Sequence, residues 1–321
     1  MKALKHNFIH KIKHWEYWPV YLVYFPSFLL WIGFAIKFRS ITFFKYANPG
    51  IKNGGLFGDS KFEIYQLLPP YLYPKTCLIK VDEAIDFQKI IIKNSFNFPL
   101  YVKPDVGLRG IGVQKVFSVN DLHIYHQNNN QNNFLVQESI DFPNEIGLFY
   151  CRKPHEINGK VTGITVKKFL TIEGNGEDNM EVLLNKVPRF RMQIPKLKDQ
   201  INLSEVLKKG EKRCLVPYGN HNRGTEFLDG KHHITPKLEQ TFDEILKKVP
   251  GFYFGRLDIR FNSFEELEQG INFSIIEING VKSEPTHIYD AKHSFFYGQK
   301  EIFKHQMLMF DIIKINLTKS L

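Results

Sequence analysis

Cysteine is scarce in this chain of 321 residues, where it occurs only as Cys77, Cys151 and Cys214. The three are odd in number and far apart, and they form neither a CxxC pair nor a zinc-finger spacing. This pattern argues against a disulfide framework and against a thiolate metal site. We therefore expect reduced, structural thiols, as in cytoplasmic proteins.

Several signatures of catalysis and binding are also missing. No Ser-His-Asp or Cys-His nucleophile is evident, and neither a Walker loop nor a Rossmann fingerprint occurs. The formal charge of +10 fits nucleic acid, an anionic membrane surface, or a nucleotide with an acidic substrate. We expect no nucleic-acid partner, because the chain has no helix-turn-helix, RNA-recognition aromatic motif or dense basic stripe.

The N-terminal segment, residues 1 to 58, is rich in aromatic residues. Its stretch "WPVYLVYFPSFLLWIGFAI" (18 to 36) has no charged residue and reaches the lower length limit of a membrane span. Pro19, Pro26 and the many Trp and Tyr residues argue against the bilayer centre. No small-residue cleavage site indicates a signal peptide. Three interpretations stay open: a helix packed on the protein, an interfacial membrane anchor through residues 15 to 38, and a true span.

The stretch "YVKPDVGLRGIGV" (101 to 113) predicts two strands joined by a glycine-rich turn. Lys103 ends the first strand, and Gly107, Gly110 and Gly112 let backbone amides approach an anion without an intervening side chain. Such a loop can close over nucleotide phosphates, although a plain glycine hairpin has the same pattern.

A second candidate lies in "LVQESIDFPNE", where Glu138 and Glu145 are seven residues apart. The main chain at a strand end can offer amide and carbonyl groups to adenine, and a nearby carboxylate can accept hydrogen bonds from ribose. A pair of solvated carboxylates is the simpler alternative.

The third candidate is "YFGRLDIRFNSFEELEQGINFSIIEINGVKSEP" (253 to 285). Arg256, Asp258 and Arg260 alternate on one predicted strand, and Glu277 and Asn279 alternate on the next, so each set shares one face. Asp258, Glu277 and Asn279 supply the oxygen ligands that Mg²⁺ prefers, with positions left for phosphate and water. Arg256 beside them could hold a carboxylate or stabilise an oxyanion.

Taken together and in this order, the three sets resemble the ATP-grasp superfamily over roughly residues 59 to 290, and the last set looks most like that of D-alanine–D-alanine ligases. The resemblance implies an α+β ATP-grasp fold, in which two α/β subdomains clasp the nucleotide between antiparallel sheets. It implies subdomains at 59–137 and 138–321 behind the N-terminal segment.

The resemblance also implies roles for individual residues. Lys103 would contact phosphate and act with Arg256 in catalysis, and Asp258, Glu277 and Asn279 would bind Mg²⁺ or Mn²⁺. Lys61 and Lys167 are candidates for a second phosphate-facing lysine. The implied ATP-binding set is Lys103, Gly107, Arg109, Gly110, Gly112, Gln137, Glu138, Ile140, Glu145 and Lys167.

Substrate contacts are expected at His221, Asn222 and Arg223 in "GNHNRGTEF", and at Glu284 and His287 after Asn279. Two departures from the family stand out. A short aromatic segment replaces the usual N-terminal α/β domain, and "NGVKSEPTHIYD" replaces the "SPG" segment of dipeptide ligases.

The implied activity is an ATP-dependent carboxylate-amine ligase that forms an amide or peptide bond through an acyl phosphate and releases ADP and phosphate. Its partners would be a small-molecule carboxylate and an amine. A small-molecule kinase of the same fold and a non-catalytic, ATP-binding membrane-docking module are the alternatives. We expect a cytoplasmic protein, or one held peripherally at the inner membrane face.

Overall fold

The computed structural model describes residue 7, residues 10 to 107 and residues 110 to 320. A first antiparallel sheet has the strand order β1-β4-β2-β3. Its strands are β1 (Thr76–Ile79), β2 (Leu100–Pro104), β3 (Gln114–Val116) and β4 (Phe134–Glu138). The predicted strand pair around the glycine turn is confirmed, because Leu100 of β2 lies opposite Val116 of β3.

A second antiparallel sheet has the order β11-β10-β5-β6-β9. Its strands are β5 (Asn144–Cys151), β6 (Lys160–Lys168), β9 (Glu226–Asp229), β10 (Phe254–Phe261) and β11 (Phe273–Asn279). Between β6 and β9 in the chain, β7 (Leu170–Glu173) and β8 (Lys212–Val216) form a separate ribbon.

Ten α-helices of the described residues precede, separate or follow these strands in the chain. They are α1 (Val20–Phe38), α2 (Lys61–Gln66), α3 (Phe87–Asn94), α4 (Val119–Asn128), α5 (Met180–Lys186), α6 (Pro188–Arg191), α7 (Ile194–Leu197), α8 (Pro236–Leu246), α9 (Phe264–Glu268) and α10 (Phe295–Ser320). The α+β class is confirmed by this mixture of helices and antiparallel sheets. The predicted division at residues 58 and 137 stays a prediction.

Local sequence explains where two of the helices begin. Helix α8 starts as its Thr-Pro signal predicts, since the Thr235 side chain accepts a hydrogen bond from the Leu238 amide. Acids at the start of residues 81 to 93 and lysine at their end predict a helix over that stretch. Helix α3 begins later, at Phe87, because Asp86 caps it by accepting from the Lys89 amide. The acids before Asp86 therefore lie outside the helix.

The N-terminal segment is tied to the second sheet. Buried Asn48 donates to the Phe254 carbonyl at 2.7 Å and accepts from the Tyr253 and Phe254 amides at 2.8 and 2.9 Å. An apolar cluster that includes Phe34, Phe44 and Phe254 continues this contact. The segment thus packs as part of the fold.

Helix α1 is the one helix in the described part of the chain whose length and composition would allow it to cross a membrane. Only Val23, Ser27 and Phe34 of its 19 residues are buried. One side of the helix therefore packs on the protein, as the first of the three interpretations expects. The other side is exposed.

Candidate active site

The motifs of the last two sheet strands come together as their alternation predicts. Strands β10 and β11 are antiparallel neighbours, with Arg256 opposite Asn279 and Asp258 opposite Glu277. On the other side of β10, Arg260 lies opposite Glu145 of β5. Because residues two apart project to the same face, these side chains converge on one surface of the sheet.

Five charges of alternating sign form a continuous chain on this surface, which we call the charge chain: Arg256, Asp258, Lys167, Glu145 and Arg260. The Arg256 guanidinium donates to both carboxylate oxygens of Asp258, at 3.0 and 3.2 Å. The Lys167 ammonium lies 3.0 Å from Asp258 and 2.8 Å from Glu145. Arg260 completes the chain at 3.1 Å from Glu145.

The charges of the charge chain are buried, so each of them needs its partner of opposite sign. The side chains of Lys167 and Glu145 are only 3% and 2% exposed, so each would be costly to bury alone. Burial alone would raise the pKa of Asp258, but Arg256 and Lys167 outweigh it and hold that pKa below the usual value. Burial would lower the pKa of Lys167, yet Asp258 and Glu145 raise it above its usual value.

Glycine at position 219 permits this packing. A Cβ added there would lie 2.3 Å from both the Glu145 carboxylate and the Lys167 side chain. The Gly219 amide instead donates to Glu145 at 3.3 Å. The loop after β8 can therefore close directly over the charge chain only because residue 219 has no side chain.

Lys103 connects the two sheets. Its ammonium donates to Gln137 of β4 at 2.9 Å, to the Tyr65 hydroxyl at 2.9 Å and to the Ile276 carbonyl of β11 at 3.2 Å. Tyr65 also donates to the Ile276 carbonyl. Lys103 is 8% exposed. Because its partners include residues of both sheets, its positive charge lies between the two sheets.

Lys61, one of the two candidates for a second phosphate-facing lysine, binds the backbone of the glycine loop. Its ammonium donates to the carbonyls of Asp105 and Gly107, at 3.3 and 3.1 Å. Burial lowers the pKa of Lys61. Gly110 and Gly112 have φ angles of 70° and 75°, which glycine adopts without strain. Arg109, predicted to bind ATP, lies outside the described residues.

A cavity of about 820 Å³ opens between the two sheets, and it collects most of the predicted residues. Those lining it are Lys61, Lys103, Gly107, Gly110, Gln137, Glu138, Ile140, Glu145, Lys167, His221, Asn222, Arg256, Asp258, Glu277, Asn279 and Glu284. Gly112, Arg223 and His287 do not line it. His287 is 1% exposed, and its ring lies 3.6 Å from Glu301, so it is buried outside the cavity.

A second part of the cavity, which we call the far end, brings predicted residues such as His221 and Glu284 together with Glu16 and Tyr24, which the sequence motifs missed. Glu16 lies 2.6 Å from Arg189 and 2.9 Å from His221. The Tyr24 and Tyr289 hydroxyls are 3.2 Å apart, and Tyr289 donates to Glu284 at 3.0 Å. These partners are separated by up to 265 residues, so no local spacing predicts them. One signal was present: Glu16 is the single acidic residue among the first 58.

The donor set fits a divalent cation such as Mg²⁺. Asp258, Glu277 and Asn279 all line the cavity, and the buried side-chain nitrogen of Asn279 has no hydrogen-bond partner in the described part of the chain. Amide nitrogen and oxygen exchange by a half-turn, which would present the oxygen as a ligand. Outside this mixed set, no group of three His, Cys, Asp or Glu residues in the described ranges could hold a metal.

No protein-family model and no curated protein matches the chain. Solved structures do match. A D-alanine–D-alanine ligase from Bacillus anthracis has a TM-score of 0.45 and 12% identity, over 81% of this chain and 67% of that one. A bifunctional glutathione synthetase from Pasteurella multocida has a TM-score of 0.39 and 15% identity, over 76% and 36%.

The VanG D-Ala:D-Ser ligase from Enterococcus faecalis has a TM-score of 0.42 and 15% identity, over 79% of this chain and 60% of that one. The chain thus spans about a third to two thirds of the length of these three structures. The similarity to all three is low.

Proposed function

We propose that the protein is an ATP-dependent, ADP-forming carboxylate-amine ligase. One observation supports this proposal most strongly. Asp258, Glu277 and Asn279 line the same cavity as Lys103 and the charge chain. Its volume of about 820 Å³ falls within the range of about 300 to 1,000 Å³ typical of small-molecule sites. A phosphate-rich ligand would neutralise the cations that line it.

The nucleotide would lie at the end of the cavity formed by the first sheet. Lys103, Lys61, the Arg109 loop and the amides near Gly107 and Gly110 would hold the phosphates. The main chain from Gln137 to Ile140 would contact adenine. Glu145 is proposed for ribose, and it would have to exchange Lys167 or Arg260 for the ribose hydroxyls, because both of its oxygens are paired.

Asp258, Glu277 and Asn279 would hold the cation, Mg²⁺ or the oxygen-preferring Mn²⁺. When bound, the cation would neutralise charge on the phosphates of ATP. Because the charge of Asp258 is already paired with Arg256 and Lys167, we expect the cation to bind together with the negatively charged nucleotide.

The reaction would begin when an oxygen of the substrate carboxylate attacks the γ-phosphorus and ADP leaves, which produces an acyl phosphate. Lys103 would stabilise the phosphate charge. A neutral amine would then attack the acyl carbon, phosphate would leave, and the amine would lose a proton as the amide forms. Arg256, which is held in place by Asp258, would stabilise the oxyanion of the tetrahedral intermediate.

The test is ATP consumption by the purified full chain with Mg²⁺ over a panel of amino acids, dipeptides, fatty acids and amines. ADP, AMP and phosphate are measured separately. ADP and phosphate that require both a carboxylate and an amine, and are lost in Asp258→Asn, are the expected result. The surface carboxylate of Asp311, which pairs with Lys153, supplies the matched control Asp311→Asn.

Other products would contradict the proposal in distinct ways. ADP with a stable phosphorylated product would indicate a small-molecule kinase, and AMP would exclude the acyl-phosphate route. Binding of ATP without turnover over the whole panel would favour the non-catalytic docking module.

A further inference from the structure

One face of helix α1 is apolar and has no partner in the described part of the chain. Seven side chains on it are 44% to 73% exposed: Tyr21, Leu22, Phe25, Phe28, Leu29, Ile32 and Ile36. At 3.6 residues per turn they fall within an arc of about 120°. We call this surface the α1 face. Single exposed apolar residues are common on soluble proteins, but a continuous stripe marks an interaction site.

The opposite side of α1 is attached to the protein along its length. The Val23 carbonyl near its start accepts from Gln299 of α10 at 2.9 Å. Near its end, the rings of Phe34 and Phe38 lie 4.8 Å from that of Phe310. A helix fixed at both ends against a folded domain cannot cross a bilayer alongside it. The α1 face can, however, lie flat on a surface.

Charge around the α1 face is positive at both ends. Lys11 and Lys13 precede the helix, and Lys37, Arg39 and Lys45 follow or end it, all with exposed side chains. The single acid of the segment, Glu16, is already paired with Arg189 and His221. Trp18 and Tyr21 at the start of the helix are aromatic residues that favour a membrane interface.

We propose that the α1 face docks the protein peripherally on an anionic lipid bilayer, with the helix lying in the plane of the interface. The cations at both ends would bind the headgroups, and the stripe of apolar side chains would enter the boundary of the acyl chains. Trp18, Val20 and Tyr24, at the start of the helix, also line the large cavity. Docking on this face would therefore bring one wall of that cavity to the lipid surface.

The test is co-sedimentation of the purified full chain with phosphatidylcholine vesicles that contain about one third phosphatidylglycerol. We expect the chain to bind these vesicles, and to bind them more weakly as salt rises. The variant Phe25→Glu/Phe28→Glu removes two exposed rings (58% and 62%) and should lower the partition coefficient about tenfold or more. Lys37→Gln/Arg39→Gln should lower it less, and only at low salt.

The control is Ile92→Glu/Ile157→Glu, which adds the same charge at two exposed apolar positions away from α1 (70% and 86% exposed). It should bind as the unaltered chain does, and thermal melting should show all variants folded. The proposal is overturned if Phe25→Glu/Phe28→Glu and Ile92→Glu/Ile157→Glu lose vesicle binding equally, or if the unaltered chain does not bind vesicles. A lipid-free dimer that Phe25→Glu/Phe28→Glu dissociates, without vesicle binding, would instead assign the α1 face to a second copy. The assay uses no ATP, so its result is independent of the proposed ligase activity.

Discussion

The two ends of the large cavity are built differently, although both contain paired charges. Charges are buried at both ends, where the side chains of Lys167, Glu145 and Glu16 are 3%, 2% and 5% exposed. At the sheet end, however, the charge chain stands on three adjacent strands. At the far end, Glu16 pairs with Arg189 and His221 across three separate segments of chain.

We infer that the two ends of the cavity have different roles. Backbone hydrogen bonds of the sheet fix the spacing of the charge chain, as placing phosphate and metal requires. Loops and the N-terminal segment determine the far end, so its shape can vary independently of the sheet. We therefore expect changes at the sheet end to affect chemistry and stability, and changes at the far end to affect substrate affinity.

The largest expected effect is on stability. Lys167→Met leaves Asp258 and Glu145 with one cation fewer in a buried position, which should lower the free energy of unfolding by about 3 to 5 kcal/mol. Urea unfolding measures this. The pKa of Asp258 is held below its unfolded value, so its contribution is complete above the unfolded pKa and is lost as pH falls through the folded one. The deficit of Lys167→Met should therefore shrink in acid, and a deficit that stays constant with pH would argue against this coupling.

The next effect concerns chemistry. Arg256→Lys keeps the charge but loses the two-pronged contact with Asp258, and we expect kcat to fall about a hundredfold to a thousandfold. ATP affinity should change little. Steady-state kinetics combined with a direct binding measurement separates the two quantities. An unchanged kcat would remove Arg256 from the proposed mechanism.

A smaller effect is expected at the far end. Glu16→Gln keeps the size of the side chain but removes the charge that pairs with Arg189 and His221. We predict a rise of about tenfold in KM for the carboxylate or amine substrate, with ATP affinity and kcat nearly unchanged. The control is Glu226→Gln, since Glu226 pairs with Lys168 on the surface. A fall in the ATP affinity of Glu16→Gln would contradict the proposal that the far end binds the substrate and not the nucleotide.

The smallest effect should come from Tyr24→Phe. It removes the hydroxyl that lies 3.2 Å from the Tyr289 hydroxyl, a contact worth about 0.5 to 1.5 kcal/mol. Thermal unfolding should show a correspondingly small shift. A loss much larger than this would mean that the Tyr24 hydroxyl does more than join helix α1 to the loop after β11.

The sequence predicts the sheet end well for a physical reason. Strand alternation has a period of two, so the pattern of residues alone assigns Arg256, Asp258, Glu277 and Asn279 to one face. The pairing of β10 with β11 confirms that geometry. The roles proposed for these residues in binding and catalysis stay predictions.

The far end could not be predicted in the same way. The contact of Glu16 with Arg189 joins residues 173 positions apart, and tertiary packing alone brings them together. The charge chain was also predictable only in part. Arg260 is visible on the strand, but its pairing with Glu145, and the sharing of Lys167 between two carboxylates, follow from the order of the strands in the sheet.

Calorimetric titration of ATP into the full chain, with and without Mg²⁺, tests whether the cavity binds a metal–nucleotide complex, and it needs no knowledge of the other substrates. The unaltered chain, Asp258→Asn and Glu16→Gln are compared. We predict one Mg²⁺-dependent site that Asp258→Asn weakens and Glu16→Gln leaves unchanged. ATP binding that depends neither on Mg²⁺ nor on Asp258 would contradict the proposed placement of the metal at Asp258 and of the nucleotide in the cavity between the two sheets.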